Sequence, residues 1–257
     1  KELPNAQQSA DIRADLARRG EIPGDLEAVF RTLPKYGHPM DWISVAIHTI
    51  GMWETTGDWK EDALNLIARM PRVMGLMYRI REGREENIPA DDTSLSMVQR
   101  FVNTIGLENV DNDKMERIIA TYLVLHMDHG GGNLSTFTGK AIASSKATVY
   151  SAMVGAMNAL SGPLHGRANQ SCLEFVLKIG TSDPIEVEQF VRGELAAKRP
   201  IFGFGHAVLR AEDPRATAQF ALGEEICPDD ENFKIIRTLR EVAPRVLAEN
   251  PKISNPN

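Results

Sequence analysis

Cysteine, aromatic side chains and positive charge are all in short supply in this 257-residue sequence. Its two cysteines, Cys172 and Cys227, cannot form a disulfide framework, and we interpret them as buried thiols of a reducing compartment. The net charge of −6 disfavours nucleic acid as a partner, because nucleic-acid-binding proteins usually present a basic face. No apolar run approaches the roughly 20 residues of a membrane span, so we expect no membrane partner either.

Runs of alternating β-branched residues are also missing, and nearly every periodic segment has the spacing of a helix. The pattern predicts eleven or twelve helices and no sheet, which is an all-α fold. Charged residues become denser after about residue 166. We therefore expect two domains, 1–165 and 166–257, with a binding pocket where they meet.

Prolines and small residues distinguish five of the predicted helices. A helix over 60–81 is expected to kink or break at Pro71, because proline removes an internal hydrogen bond. The small-residue segment 138–160 predicts one buried helix, and Pro163 is expected to begin the next, over 163–178. Asp183-Pro184 and Asp213-Pro214 each have the composition of a helix start, with aspartate as the cap.

The stretch 126–170 holds three of the six histidines and an unusual glycine run at 130–132. His126 and His129 are three residues apart and would share one face of a helix. A metal site would need a third ligand on that face, and the H-E-x-x-H pattern is absent, so we predict no metal. Two alternatives remain open: histidines satisfied by hydrogen bonds at a helix end, or histidines that hold a carboxylate or carbonyl against exposed backbone amides.

His165 directly follows Gly162-Pro163-Leu164, near the expected start of a helix. A helix start disfavours the imidazolium, so this ring is a candidate donor to a developing oxyanion; the alternative is a capping histidine. The loop 201–206 ends in His206, and Arg210 and Arg215 follow it. Guanidinium groups bind carboxylates and phosphates, although each arginine taken singly also fits an ordinary surface residue.

Four segments together resemble the citrate synthase family: HMDHGGGN at 126–133, GPLHGRANQ at 162–170, GFGHAVLRAEDPR at 203–215 and NPN at 255–257. The resemblance implies a nearly all-helical homodimer with a large domain, here 1–165, and a small domain, here 166–257. It also implies an acyltransferase that condenses acetyl-CoA with oxaloacetate through an enol and hydrolyses the citryl-CoA formed. The CoA thioester would be a co-substrate, with no permanently bound cofactor.

The resemblance assigns roles by motif position. His165 would donate to the thioester oxygen, and His206 would polarise the oxaloacetate carbonyl as the second catalytic histidine. His129 and Arg215 would bind oxaloacetate together with His206. Ser135 would orient His165, with His126 and Asn133 in support. The expected contacts to CoA are Phe202, Gly203, Phe204, Gly205, Arg210 and Asn257.

In the family a catalytic aspartate follows the NPN motif within a couple of residues, and this sequence stops at Asn257. We therefore expect the sequence to be part of a protein that is longer at both ends, and expect the chain as it stands not to turn over. Two alternatives stay open: a 2-methylcitrate synthase that uses propionyl-CoA, or a non-catalytic ligand-binding or dimerisation fragment. A bacterial cytoplasm is the expected location, ahead of a mitochondrial matrix.

Overall fold

The structure is a computed structural model that describes residues 2–128, 130–205, 209 and 211–250. Within these residues it has twelve α-helices, a 3-10 turn at Glu85–Asn87 and no strand, which confirms the all-α prediction. The helices are α1 (Ala6–Arg19), α2 (Leu26–Thr32), α3 (Pro39–Trp53), α4 (Trp59–Arg81), α5 (Met97–Ile105), α6 (Asn112–His126), α7 (Leu134–Ala143), α8 (Val149–Leu160), α9 (Ala168–Ile179), α10 (Pro184–Ala196), α11 (Pro214–Ile226) and α12 (Glu231–Ala248). None of the helices described is both long and apolar enough to cross a bilayer.

The chain divides into two compact units, Lys1–His165 and Gly166–Asn257. Unit 1 contains α1 to α8, and unit 2 contains α9 to α12. The expected large and small domains stay a prediction, because a division into compact units does not by itself make each one a domain.

The core of unit 1 forms where α2, α3, α4 and α8 meet. Trp42 of α3 packs on Phe30 of α2, with 5.5 Å between the ring centroids. Gly51 lets α8 approach α3 closely, since a Cβ added there would lie 2.5 Å from the Cβ of Tyr150. Tyr150 is itself fully buried, so the start of α8 is fixed in the core.

The core of unit 2 is built mainly from α9, α10 and α12, with Phe175, Val187, Val191 and Leu239 among its buried residues. Helix α11 contributes little to it, because Ile226 is its only buried residue. Most of α11, including its first turn, therefore faces solvent or a cavity of the same unit.

Helix starts that carry their own capping chemistry were predicted correctly. Asp213 caps α11 and Asp183 caps α10, each with proline at the first helical position. At Pro71 the prediction was a kink or a break. The break is wrong, since α4 is one helix from Trp59 to Arg81 with Pro71 inside it, and the kink stays a prediction.

The prediction of one buried helix over 138–160 is wrong. The segment belongs to two helices, α7 and α8, which are separated by a turn at residues 144–148. Lys146 in that turn has a positive φ of 64°, and the Thr148 side chain caps α8 by accepting from the amide of Ser151. Ser135 and Tyr150 are the only buried residues of these two helices. Small residues here allow close packing between α7 and α8 rather than burial on all sides.

The helix expected to begin at Pro163 begins five residues later, at Ala168. Residues 161–167 form consecutive turns, and the amide of His165 donates to the carbonyl of Gly162 over 3.0 Å. His165 is therefore not in the first turn of α9. Contrary to the prediction from the sequence, the N-terminus of that helix cannot be what disfavours the imidazolium form of His165.

Candidate functional site

The first turn of α7 is held by the side chain of Asn133. Its Oδ1 accepts from the amide of Thr136 over 3.0 Å, as the cap of α7, and lies 2.8 Å from the hydroxyl oxygen of Ser135. Ser135 is 4% exposed, so its hydroxyl has a fixed direction. These contacts place both predicted supporting residues of this segment at one helix N-terminus.

The ring of His165 meets that N-terminus from a position thirty residues away in the sequence. Its Nε2 lies 2.9 Å from the hydroxyl oxygen of Ser135 and 3.3 Å from the backbone nitrogen of the same residue, which donates to it. His165 is half-buried, in the turns that precede α9. The structure thus brings together His165 and Ser135, the pair expected from the resemblance.

The contact decides which ring nitrogen carries the proton. A backbone N–H can only donate, so Nε2 needs its lone pair towards Ser135, and we assign the proton of the neutral ring to Nδ1. The helix start that acts on His165 is consequently that of α7, through the amide of Ser135, and not that of α9. The N–H donor of this neutral ring is then Nδ1.

His126 is the last residue of α6 and is exposed. Its Nδ1 lies 2.7 Å from the carbonyl oxygen of Tyr122, and the two rings stack with their centroids 4.1 Å apart. This is the hydrogen-bonded histidine at a helix end that was one of the two open interpretations. The other histidine of the pair, His129, lies outside the described residues.

Arg215 is the second residue of α11, two positions after the cap residue Asp213. Its Nε lies 3.0 Å from each carboxylate oxygen of Asp213, and its Nη2 lies 2.5 Å from Oδ2. The hydrogen bond that Arg215 donates to Asp213 raises the pKa of Arg215. The side chain is 48% exposed, so this cation can be reached from solvent.

The loop predicted to contact CoA is anchored in unit 2 by its aromatic rings. Phe202 packs edge-on against Phe175, with centroids 5.9 Å apart, and Phe204 also packs on the core of this unit. Gly203 and Gly205 have φ values of 89° and 77°, which L side chains rarely adopt, and both are exposed. What this loop presents to solvent is therefore glycine backbone.

A cavity of about 300 Å³ lies between this loop, α9, α11 and α12. Its walls are mostly apolar, and Cys172 is one of the residues that line it. Burial raises the pKa of the Cys172 thiol. Arg240 lies over the ring of Phe220, 4.1 Å from the centroid, and forms an ion pair with Glu212. Sequence reasoning missed the Glu212–Arg240 pair, because the two residues are 28 positions apart and share no local pattern.

Four predicted site residues lie outside the described residues: His129, His206, Arg210 and Asn257. The convergence of the imidazoles of His129, His165 and His206 therefore stays a prediction. The same holds for the absence of a metal and of a permanently bound cofactor.

Comparison with known proteins defines the class first. A structure of citrate synthase from Thermotoga maritima is similar to 98% of this chain with a TM-score of 0.80 and 29% identity, and the chain covers 65% of it. The all-α fold is thus that of citrate synthases. The family model for the citrate synthase C-terminal domain matches residues 1–257, so the chain belongs to the citrate synthase family.

Two curated relatives agree with this assignment. The chain is 35% identical over 277 residues to a mitochondrial 2-methylcitrate synthase of Yarrowia lipolytica, covering 99% of this chain and 58% of that protein. It is 34% identical over 279 residues to the mitochondrial citrate synthase of Saccharomyces cerevisiae, covering 99% of this chain and 56% of that protein. The chain thus spans a little over half the length of these relatives. Both are mitochondrial by name, and the bacterial cytoplasm stays a prediction.

Proposed function

We propose that the protein carrying this chain condenses acetyl-CoA with oxaloacetate to give citrate and CoA. The observation that carries the proposal is the contact of His165 with Ser135, because it supports a neutral ring with its proton on Nδ1. Family membership supports the substrate class, an acyl-CoA and oxaloacetate. The roles are assigned to the whole protein, since the chain spans only part of its relatives.

Enolising a thioester is difficult because its α-proton is weakly acidic and charge develops on the carbonyl oxygen. In the proposal, a carboxylate base of the whole protein takes the α-proton, Nδ1–H of His165 donates to the carbonyl oxygen, and Ser135 keeps Nε2 occupied. A donor fixed before the reaction stabilises the developing charge without reorganisation, which is the largest contribution in many enzymes. Within this chain, His165 is thus the electrophilic group of the first step.

The second substrate needs fixed positive charge. We assign one carboxylate of oxaloacetate to Arg215, whose guanidinium is accessible and already geometrically suited to a carboxylate, as its contact with Asp213 illustrates. His129 and His206 complete this assignment by motif position, with His206 polarising the ketone. The exposed backbone at Gly203 and Gly205, with Phe202, Phe204, Arg210 and Asn257, is assigned to CoA.

A second candidate is 2-methylcitrate synthase, which the Yarrowia lipolytica relative carries as its name. An additional methylene is worth only about 1–3 kcal/mol in an apolar pocket, so the two activities differ by a modest preference. Release of the CoA thiol should be followed with oxaloacetate and either acetyl-CoA or propionyl-CoA. We expect a higher kcat/KM for acetyl-CoA. A higher value for propionyl-CoA selects the second candidate, and oxaloacetate binding without any CoA release selects the non-catalytic alternative.

We also propose a homodimer, supported by the surface of α6. None of its residues is buried, although Tyr122, Leu123 and Val124 on it, and Met127 after it, are exposed apolar side chains. Exposed apolar patches of this kind often mark protein–protein contacts. Sedimentation equilibrium of the protein and of a Val124→Glu variant tests this. A monomeric native protein, or a variant that dimerises equally well, would contradict it.

A further inference from the structure

Helices α10 and α11 of unit 2 both begin with an aspartate cap followed by proline, and the cap of α11 also contacts an arginine side chain. Asp183 and Asp213 both have φ −66° and ψ 123°. Both precede a proline, and both accept a backbone amide two residues on, Ile185 or Arg215, over 2.9 Å. The difference is that the side chain after the second proline is a guanidinium. Asp213 therefore caps a helix and also engages Arg215.

The pairing has the form that a bound carboxylate would take. Both oxygens of Asp213 lie 3.0 Å from Nε of Arg215, and one lies 2.5 Å from Nη2. A planar guanidinium binds a carboxylate through the pair of N–H groups along one of its edges. While Asp213 occupies the Nε–Nη2 edge of Arg215, no other carboxylate can bind along that edge. A ligand that uses the same edge has to displace Asp213.

Displacement is feasible because the pair is exposed. The side chains of Arg215 and Asp213 are 48% and 24% exposed. Ion pairs at such positions are individually weak. The cap does not need the guanidinium, because the amide of Arg215 donates to Asp213 on its own. The exchange can therefore proceed by rotation of the Arg215 side chain with the start of α11 unchanged.

The neighbouring carboxylate is held elsewhere. Glu212 accepts from Arg240 and, over 2.7 Å, from the hydroxyl of Thr217, and Arg240 is further fixed over Phe220. The hydrogen bond from Arg240 lowers the pKa of Glu212, which keeps this carboxylate charged and paired. Of the two adjacent acidic side chains, Asp213 is thus the one that meets Arg215.

We propose that Asp213 is a resident carboxylate that oxaloacetate must displace from Arg215, and that it thereby sets the affinity for this substrate. The inference rests on the substrate-binding role proposed for Arg215. Binding replaces one Arg215–carboxylate pair by another, so the affinity reflects the difference between the two. Removing the charge of Asp213 while keeping its cap should leave Arg215 open to the substrate.

The test is calorimetric titration of the protein with oxaloacetate. Asp213→Asn keeps a good capping residue and removes the charge. We expect it to bind oxaloacetate about two- to fivefold more tightly than the native protein, the range of an exposed ion pair. Asp183→Asn is the matched control, because it changes the equivalent cap of α10, which has no arginine beside it; the affinity of this variant for oxaloacetate should be unchanged. Equal or weaker binding by Asp213→Asn would overturn the inference.

Two further variants separate this inference from the proposed function. Arg215→Ala should weaken oxaloacetate binding, and the gain from Asp213→Asn should vanish in the Asp213→Asn/Arg215→Ala double variant. If Arg215→Ala binds as the native protein does, the role of Arg215 fails and the inference fails with it. If Arg215→Ala loses affinity but Asp213→Asn gains none, only the inference fails. A gain that persists in the double variant would also overturn it, because Asp213 would then act on another group.

Discussion

Four arginines of unit 1, Arg69, Arg72, Arg79 and Arg100, are only 2–9% exposed. Six arginines of unit 2 that form ion pairs are 35–65% exposed at their side chains: Arg192, Arg199, Arg215, Arg237, Arg240 and Arg245. The buried ones donate largely to backbone carbonyls, whereas the exposed ones contact carboxylates of Asp and Glu. Arginine therefore has two uses in this chain. Buried arginines hold backbone segments together, and exposed arginines form ion pairs with carboxylates.

Arg100 shows the buried use most fully. It donates to the carbonyl oxygens of Ala68 and Gly20, over 2.8 and 3.1 Å, and to both carboxylate oxygens of Asp91. These contacts tie the end of α1, the middle of α4 and the segment before α5 to one guanidinium. An arginine with such partners cannot exchange them for a ligand without loosening the fold. An exposed arginine paired with a carboxylate can exchange it.

The largest expected effect is on stability. Arg100→Met should lower the free energy of unfolding of unit 1 by about 3–5 kcal/mol, because it leaves a carboxylate and two backbone carbonyls without their donor. All three tryptophans, Trp42, Trp53 and Trp59, lie in unit 1, so their fluorescence during urea unfolding reports on it. Arg192→Met is the control, whose side chain is 44% exposed and pairs with Glu188 and Glu249. Its midpoint by far-UV circular dichroism should not move. Similar losses in both variants would remove the distinction between the two uses.

These examples also explain what could be read from the sequence. Asp183-Pro184 and Asp213-Pro214 start helices through chemistry confined to a few neighbouring residues, and both were predicted. The turn between α7 and α8 was missed, because the residue with a positive φ there is Lys146 and not the glycine that usually indicates such a turn. The motifs indicated His165 and Ser135 only by resemblance, since their contact spans thirty residues. Arg100 and Gly20, eighty residues apart, had no signal at all.

The next prediction distinguishes the chemical step, which we assign to His165 of unit 1, from substrate binding, which we assign to Arg215 of unit 2. His165→Ala should lower kcat about 10²- to 10³-fold with little change in the Kd of oxaloacetate, because a donor to the developing oxyanion acts in the transition state. Arg215→Ala should instead raise the Kd of oxaloacetate by roughly 10- to 100-fold, the worth of a charged hydrogen bond. Steady-state kinetics with acetyl-CoA and calorimetry with oxaloacetate measure the two. The same pattern in both variants would contradict the assigned roles.

A smaller effect is expected where His165 loses one of its two contacts with Ser135. Ser135→Ala removes the hydroxyl at 2.9 Å and keeps the backbone donor at 3.3 Å. We expect kcat to fall about two- to tenfold, the worth of one neutral hydrogen bond. Ser145→Ala is a suitable control, since that hydroxyl is exposed, lies in the turn after α7 and donates to the carbonyl of Ile142 near the end of that helix. A loss as large as that of His165→Ala would mean that the amide alone cannot hold the ring.

The smallest effect tests the one thiol of unit 2 that lines the cavity. Burial raises the pKa of Cys172, so the folded chain keeps this thiol protonated at a pH where the unfolded chain has begun to release it. Since the thiolate is the nucleophile, alkylation of Cys172 by iodoacetamide at pH 8 should be slower in the native protein than in urea, as peptide mass spectrometry can measure. The unfolded state binds fewer protons than the folded state above its ordinary pKa of about 8.5. The contribution of Cys172 to stability must therefore fall as the pH rises through that value. An alkylation rate in the native protein that equals or exceeds the rate in urea would mean that solvent reaches the cavity freely. The thiol of Cys172 would then be as accessible to solvent as the arginines of unit 2.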